Sequence, residues 1–225
     1  MKIKRYINYV EAVIRGKRPR LKQAMAMSDQ YNTRQTLIQR IQASHDDQSW
    51  DEFVRIYRPY IYAIIRNMNV SVDEVDDLVQ QVCIKVWKNI SGMELTATHR
   101  FRSWLSSVTI NCTRDYFRKS ARDATRLEKA SEDESLNYLR LVDEPEIDRV
   151  AQREWEIHLT NLAMENIEPL FTRQTIDVFM LSLEGLSAKE IAAKTELSEN
   201  AVYYQKNRFK RRLVQEVAHL REELE

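Results

Sequence analysis

Hydrophobic residues recur along this chain every three to four positions, which is the period of an amphipathic α-helix. The pattern predicts a short helix over residues 33–41 and a longer helix after it. Ser49, with Glu52 three residues later, forms a capping-box signal for the start of the longer helix. We expect Pro59 to kink or break that helix near Arg58, because proline lacks a backbone donor and its ring clashes with the preceding turn.

Two more amphipathic helices are predicted before the middle of the chain. Ser71 and Glu74 form a second capping-box signal, and the helix that they begin is expected to end at Gly92. Apolar positions with helical spacing recur over residues 101–119. Together these helices predict one compact helical domain over residues 33–122.

The second half of the chain separates into a charged stretch and another helical group. Residues 123–153 are rich in charge and poor in aromatic residues, so they predict a flexible linker with at most transient helix. Residues 154–225 predict a second helical domain. Its helices are expected at 155–166, at 172–183, at 188–194 behind a capping box of Ser187 and Glu190, and from Ser198 onward.

Composition favours a purely helical fold. The 225 residues include only 3 glycines and 4 prolines, too few for the turns that a strand-rich fold needs about every 8–12 residues. The predicted fold class is therefore all-α, with two helical domains joined by a flexible acidic linker. The sequence has neither a membrane-spanning apolar run nor a secretory signal, and Cys83 and Cys112 fit buried free thiols, so we expect a cytoplasmic protein.

The net charge of +1 is unevenly distributed along the chain. Residues 1–27 carry eight basic residues and one acidic residue, and residues 100–122 carry six against one. Residues 123–154 carry ten acidic and five basic residues, and residues 198–212 carry five basic residues against one acidic. Basic blocks on both sides of an acidic stretch indicate two modules that face nucleic acid; the alternative for each block is a solvated helix face.

The basic extension over residues 1–32 is only weakly patterned. Because a polar stretch follows Met27, we expect the native product to start at Met27 rather than at Met1. The alternative is a basic tail that adds affinity for DNA.

Residues 186–212 have the proportions of a helix-turn-helix motif. In such motifs the start of the second helix meets base edges in the major groove, and basic residues after it hold phosphates. The alternative is an ordinary helical hairpin with a basic face. Many turns of this kind use glycine where this chain has Glu196, so we expect a strained turn. The residues expected to contact DNA here are Ser198, Glu199, Asn200, Tyr203, Tyr204, Lys206, Asn207, Arg208, Lys210 and Arg211.

Basic and aromatic residues also alternate around the helix predicted over residues 101–119. Cations hold a phosphate backbone, while exposed aromatic rings stack on bases that have left the duplex, so this combination suits a melted DNA strand. The alternative is that the aromatic residues belong to the core, which we expect of Phe101 and Tyr116, whereas Trp104 fits either role. The residues expected to contact DNA here are Arg100, Arg102, Trp104, Asn111, Arg114, Arg118, Lys119 and Arg122.

Three motifs, in order and correctly spaced, resemble those of bacterial RNA polymerase sigma factors of the extracytoplasmic-function type, within the sigma-70 family. Residues 76–82, DDLVQQV, resemble the region 2.2 signature. Residues 101–105, FRSWL, and 115–118, DYFR, resemble regions 2.3 and 2.4, and residues 186–213 resemble region 4.2. The departures are Gln81, Cys83 and Glu196, where the family usually has glutamate, phenylalanine and glycine.

The resemblance implies a transcription initiation factor that binds core RNA polymerase and recognises the −10 and −35 elements of promoter DNA. Residues 33–122 would be region 2, which binds polymerase and melts the −10 element, and residues 154–225 would be region 4, which recognises the −35 element. The implied polymerase contacts are the β′ coiled coil and the β flap, and an anti-sigma factor is a further partner known in the family. The residues implied to bind polymerase are Asp76, Asp77, Gln80 and Gln81.

Other functions fit the sequence less well. A free-standing helix-turn-helix regulator would bind a palindromic operator as a dimer, whereas we expect a monomer when free, associated with the nucleoid through polymerase. A membrane-surface protein would have to depend on residues 1–27, and we expect no membrane partner. The sequence has no phosphate-binding glycine loop, no paired histidine ligands and no nucleophile motif, so we expect no enzymatic activity, no cofactor and no metal.

Overall fold

The computed structural model describes residues 35–44, 47–93, 101–126 and 144–224. The regular structure in these ranges consists of eight α-helices and two short 3₁₀ turns, without a β-strand, which confirms the predicted all-α class. The expected basic extension, Arg100 and residues 127–143 of the expected linker lie outside the described residues. The helices are α1 Gln35–Ser44, α2 Asp47–Asn67, α3 Val72–Asn89, α4 Phe101–Arg126, α5 Glu144–Ile167, α6 Arg173–Leu183, α7 Ala188–Thr195 and α8 Glu199–Leu224.

The chain divides into two compact units, which meet in sequence between Trp155 and Glu156. In the first unit, over residues 28–155, helices α2, α3 and α4 pack against one another and α1 packs on α2. Their apolar stripes supply a continuous core that includes Phe53, Ile61 and Val82, all without exposed surface. Burial of such stripes, rather than helix propensity alone, is what stabilises helices of this length.

One expectation about α2 is wrong, and of the kink or break expected near Arg58 the break is absent. The helix begins at Asp47, so Ser49 lies inside its first turn and is buried instead of capping it. The helix also continues through Pro59 to Asn67 without the break expected at Arg58. Pro59 is exposed, as is Arg55, whose carbonyl loses its helical partner. Water can therefore satisfy that carbonyl, and the buried stripe on the opposite side is not interrupted.

The start of α5 differs most from expectation. A helix was predicted over residues 155–166, but α5 begins at Glu144. Ile147, Ala151 and Trp155, spaced four residues apart, are buried in the first unit. Residues 144–153 therefore do not form the flexible linker expected there, because three apolar residues on one face are enough to dock a helix whose other positions are mostly charged.

The indole of Trp155 is the centre of this docking. Its ring meets the ring of Tyr60 edge to face with centroids 5.0 Å apart, and it lies parallel to Tyr57 at 6.4 Å. The Tyr60 hydroxyl donates a hydrogen bond to the carbonyl of Ala151 at 3.2 Å and also pairs with the hydroxyl of Ser106 at 2.8 Å. The first half of α5 is thus joined to both α2 and α4 inside one unit.

The second unit, over residues 156–223, contains the residues predicted to form the helix-turn-helix motif. The expected capping box is present: the Glu190 amide donates to the Ser187 hydroxyl at 3.3 Å, and the Ser187 amide donates to the Glu190 carboxylate at 2.8 Å. Glu196 adopts the left-handed conformation with φ of 55°, which confirms the strained turn. Val178, Ile191 and Val202 form the buried cluster that packs α6, α7 and α8 together.

Candidate functional site

A groove of about 680 Å³ is formed by α2 and α3 in the first unit. Its floor is apolar and includes Val54, Val79 and Ile84, the last of which is 46% exposed. Trp50 of α2 and Trp87 of α3 also line it, and their rings meet edge to face with centroids 4.8 Å apart. An exposed apolar surface of this kind, bordered by polar residues, is typical of a protein-binding site.

Acidic and amide side chains border this groove. Asp76, Asp77 and Gln80, three of the four residues implied to bind polymerase, line it, whereas Gln81 is exposed but is not among the lining residues. The Asp76 carboxylate forms an ion pair with Arg58 at 2.9 Å. Asp77 is exposed and has no ion pair within the described parts of the chain. The groove therefore offers an apolar floor beside an uncompensated carboxylate.

Part of this groove was not predicted from the sequence. Asp77, Gln80, Ile84 and Trp87 follow one another on α3 at three- and four-residue spacing, so they form one stripe along the helix. That spacing was the signal that could have found Ile84 and Trp87. Trp50 carries no such signal, because it reaches the groove only through the packing of α2 on α3.

Cys83 also lines the groove and is half-buried. Burial raises the pKa of its thiol above the ordinary value, and the nearby Arg58 charge opposes that shift only in part. The thiol is therefore protonated at neutral pH, and Cys83 contributes to the groove as a small apolar side chain.

The residues expected to meet DNA on α4 fall on two different sides of the helix. Trp104, Asn111, Arg118 and Arg122 repeat at intervals of seven, seven and four, so they lie along one face, and Arg114 lies beside them. Asn111, Arg118 and Arg122 are exposed, while Trp104 and Arg114 are half-buried. Lys119 is exposed on the flank of this face.

Arg102 does not share that face. Its guanidinium donates a hydrogen bond of 2.5 Å to the Gln152 side-chain oxygen and lies 5.9 Å from the ring centroid of Trp155, both on α5. Arg102 therefore joins α4 to α5 instead of extending the exposed basic face. The sequence pattern placed it among the cations of this helix, but it did not show that α5 packs on the side where Arg102 lies.

The aromatic residues of α4 also divide. Phe101 and Phe117 are buried, which confirms the core role expected of Phe101. Tyr116 is only half-buried, and its hydroxyl donates a hydrogen bond to the Glu74 carboxylate on α3, so the core role expected for its ring is only partly right. Trp104 keeps part of its indole at the surface beside the exposed cations, which leaves it available for stacking.

The start of α8 presents the predicted base-contacting residues together. Asn200, Tyr203, Tyr204 and Asn207 are exposed on its first two to three turns. The Ser198 hydroxyl accepts a hydrogen bond from the Ala201 amide at 3.2 Å, so its side chain caps the helix. Glu199 is exposed in the first turn.

The predicted phosphate-binding cations of α8 are less uniform. Arg208 and Arg211 are exposed, but the Arg208 guanidinium lies 5.3 Å from the ring centroid of Phe171, away from the exposed asparagines. Lys206 and Lys210 are half-buried. Among the described residues, no cluster of histidine, cysteine or acidic side chains is arranged to hold a metal ion. No helix in the same ranges has both the length and the hydrophobicity to cross a membrane.

Comparison with known proteins agrees with these surfaces. Residues 53–123, which contain most of the α2–α3 groove and most of α4, match the family model Sigma-70 region 2. The chain is 25% identical over 146 residues to the ECF RNA polymerase sigma factor SigE of Mycolicibacterium smegmatis, covering 64% of this chain and 52% of that protein. It is 30% identical over 78 residues to the ECF RNA polymerase sigma factor SigW of Bacillus subtilis, covering 35% of this chain and 41% of that protein.

The chain thus spans about half the length of these curated relatives, or less. A solved structure, CnrH in complex with the cytosolic domain of CnrY, aligns with 80% of this chain and 94% of its own at 21% identity and a TM-score of 0.34. Sigma factors are not an enzyme family. Over part of its length the chain is thus similar to the extracytoplasmic-function RNA polymerase sigma factors, and residues 53–123 match sigma-70 region 2.

Proposed function

We propose that this protein is a sigma factor that binds core RNA polymerase and directs promoter-specific initiation of transcription. The observation that carries the proposal is the α2–α3 groove, which lies mostly within the match to sigma-70 region 2 and is lined by Asp76, Asp77 and Gln80. A free-standing helix-turn-helix regulator is not favoured, because it would have no use for this groove.

Polymerase binding would use both chemical features of the groove. The apolar side chains that line the groove, among them Trp50, Ile84 and Trp87, would receive apolar side chains from the β′ coiled coil. Asp77 would pair with a basic residue of the same coiled coil. Buried aromatic anchors bordered by a charged rim are the arrangement that gives most binding energy at protein interfaces.

Promoter recognition would be shared between the two units. The face of α4 with Trp104, Asn111 and Arg118 would hold the melted −10 strand, where cations meet phosphates and the half-buried indole of Trp104 stacks on a base. The first turns of α8 would enter the major groove at the −35 element. In domain terms, region 2 would extend over residues 33–122 and region 4 over residues 154–225.

Run-off transcription with bacterial core polymerase on promoter fragments tests the proposal. Specific transcripts are expected only when the protein is added. Replacing Asp77 and Gln80 by alanine, or Ile84 by serine, should weaken core binding by about 2 kcal/mol, roughly 30-fold in Kd. Asp148→Ala removes an exposed carboxylate from another helix and is the matched control, for which no change is expected.

Equal core affinity for the groove variants and the control would refute the docking role of the groove. The absence of transcripts, together with palindrome-specific DNA binding by the protein alone, would instead indicate a free-standing regulator.

The further partners that we propose are the β flap, for region 4, and an anti-sigma factor. The free protein is proposed to be a cytoplasmic monomer, held at the nucleoid only through polymerase.

A further inference from the structure

Four polar and aromatic side chains cover the exposed face at the start of α8. Relative to Asn200, three side chains follow at intervals of three, four and seven residues: Tyr203, Tyr204 and Asn207. All four therefore project from the same side of the helix. Tyr203 is 54% exposed and Tyr204 is 69% exposed. Within the described residues none of the four makes a hydrogen bond or ion pair, so their polar groups are available to a ligand.

This face is rigidly supported from behind. Val202 and Phe209, on the opposite side of the same helical turns, are buried, and the Ser198 cap holds the first turn. The turn before the helix is closed by a hydrogen bond from the Leu197 amide to the Ala192 carbonyl at 3.2 Å. A preorganised face of this kind can discriminate between bases, because little ordering has to be done on binding.

The side-chain types favour A·T base pairs. An asparagine amide donates to and accepts from the N7 and N6 groups of adenine in a bidentate pair, whereas the apolar part of an aromatic ring suits the methyl group of thymine. Guanine presents only acceptors in the major groove and is read best by arginine or lysine. No arginine is present among residues 198–207, and the single lysine there, Lys206, is half-buried.

The charged neighbours of this face do not add a reader of guanine. Glu199, exposed in the first turn, can only accept hydrogen bonds, so it suits the amino group of adenine or cytosine and is repelled by the guanine acceptors. Arg208 lies over Phe171, and Arg211 follows one turn after Asn207, where it suits a phosphate better than the bases read by the first turns.

We infer that the first turns of α8 select A·T base pairs in the −35 element and reject guanine, with Asn200 and Asn207 as the adenine readers and Tyr203 and Tyr204 as contacts to thymine methyl groups. This inference rests on the proposed function, because it concerns the promoter sequence that the proposed region 4 recognises.

A promoter library with a randomised −35 element and a constant −10 element tests the inference. The holoenzyme with the full chain transcribes the library, and the transcripts are sequenced. A·T pairs should be enriched over G·C at the contacted positions by roughly 5- to 150-fold. Asn200→Ala should remove the preference at one position and Asn207→Ala at another, while each leaves the remaining positions unchanged.

Arg211→Gln is the control variant, because a phosphate contact carries no sequence information. It should lower the yield for all sequences alike and leave the base preferences unchanged. Selection of G·C, or an A·T preference that survives both asparagine substitutions, would overturn the inference while transcription itself upholds the proposed function.

The absence of transcripts from the whole library would instead count against the proposed function. In that case the full chain is mixed with the same randomised duplexes at low salt, without polymerase, and the bound duplexes are sequenced. This measurement tests the base preference separately from transcription. Enrichment of A·T pairs that depends on Asn200 and Asn207 would support it, and unselective binding would overturn it.

Discussion

Replacing Trp155 by alanine should destabilise the whole first unit, although this residue lies more than 30 positions beyond the match to sigma-70 region 2. The indole is fully buried against Tyr57 and Tyr60, and the guanidinium of Arg102 lies over it at 5.9 Å. Truncation removes these contacts and leaves a large cavity at the junction of α2, α4 and α5.

The size of the effect follows from this burial. Substitution of a buried tryptophan or phenylalanine by alanine costs about 3–5 kcal/mol, and an ordinary domain has only about 5–15 kcal/mol of unfolding free energy. With a slope of about 2 kcal/mol per molar urea, a loss of about 4 kcal/mol lowers the unfolding midpoint by roughly 2 M. A flexible linker at this position would give no such shift.

Urea unfolding, followed by hydrogen exchange in peptides of α2 and α4, measures the first unit specifically. Trp104→Ala is the matched control, because it removes the same side chain from a half-exposed position and should cost about 1 kcal/mol or less. If Trp155→Ala shifts the midpoint no more than Trp104→Ala does, the reasoning that joins α5 to this unit is refuted.

Three further predictions concern single side chains. Glu196→Gly should stabilise the second unit by roughly 0.5–1 kcal/mol, because it relieves the left-handed strain at a small cost in chain entropy; thermal unfolding measures it, and a lower Tm would contradict it. Hydrogen bonds from Ser187 lower the pKa of Glu190, so its stabilising contribution should be present above the ordinary glutamate pKa and lost as the pH falls through the lower pKa of the folded state. Unfolding measured across this acidic range should therefore depend less on pH in Glu190→Gln, and identical profiles for the two proteins would contradict the assignment. Because burial raises the pKa of Cys83, maleimide labelling of this thiol should be slow at neutral pH and accelerate as the pH rises, and core polymerase should protect it; labelling at the rate of an ordinary exposed thiol would show that the groove is open or absent.

Features that depend on residues within about one helical turn were predictable from the sequence. Ser187 and Glu190 form the expected capping box, because both partners of its two hydrogen bonds lie three residues apart. Glu196 was recognisable as strained, since the turn between two helices requires a backbone conformation that glutamate adopts at a cost. The scarcity of glycine and proline predicted the all-α class, and the spacing of Asp77 and Gln80 with their apolar neighbours marked one face of α3.

Features that depend on distant residues were decided by tertiary packing. Ser49 lies inside α2 and is buried, because α2 begins three residues earlier than its capping signal indicates. Residues 144–153 are charged enough to be predicted as a linker, yet three apolar residues dock them on α2 and α4. That docking also covers Arg102, on the other side of α4 from Asn111, through contacts with Gln152 and Trp155, which are about 50 residues distant in the chain. Composition and periodicity determine which face of a helix is apolar, but only the folded chain determines which surface covers that face and which cations remain exposed.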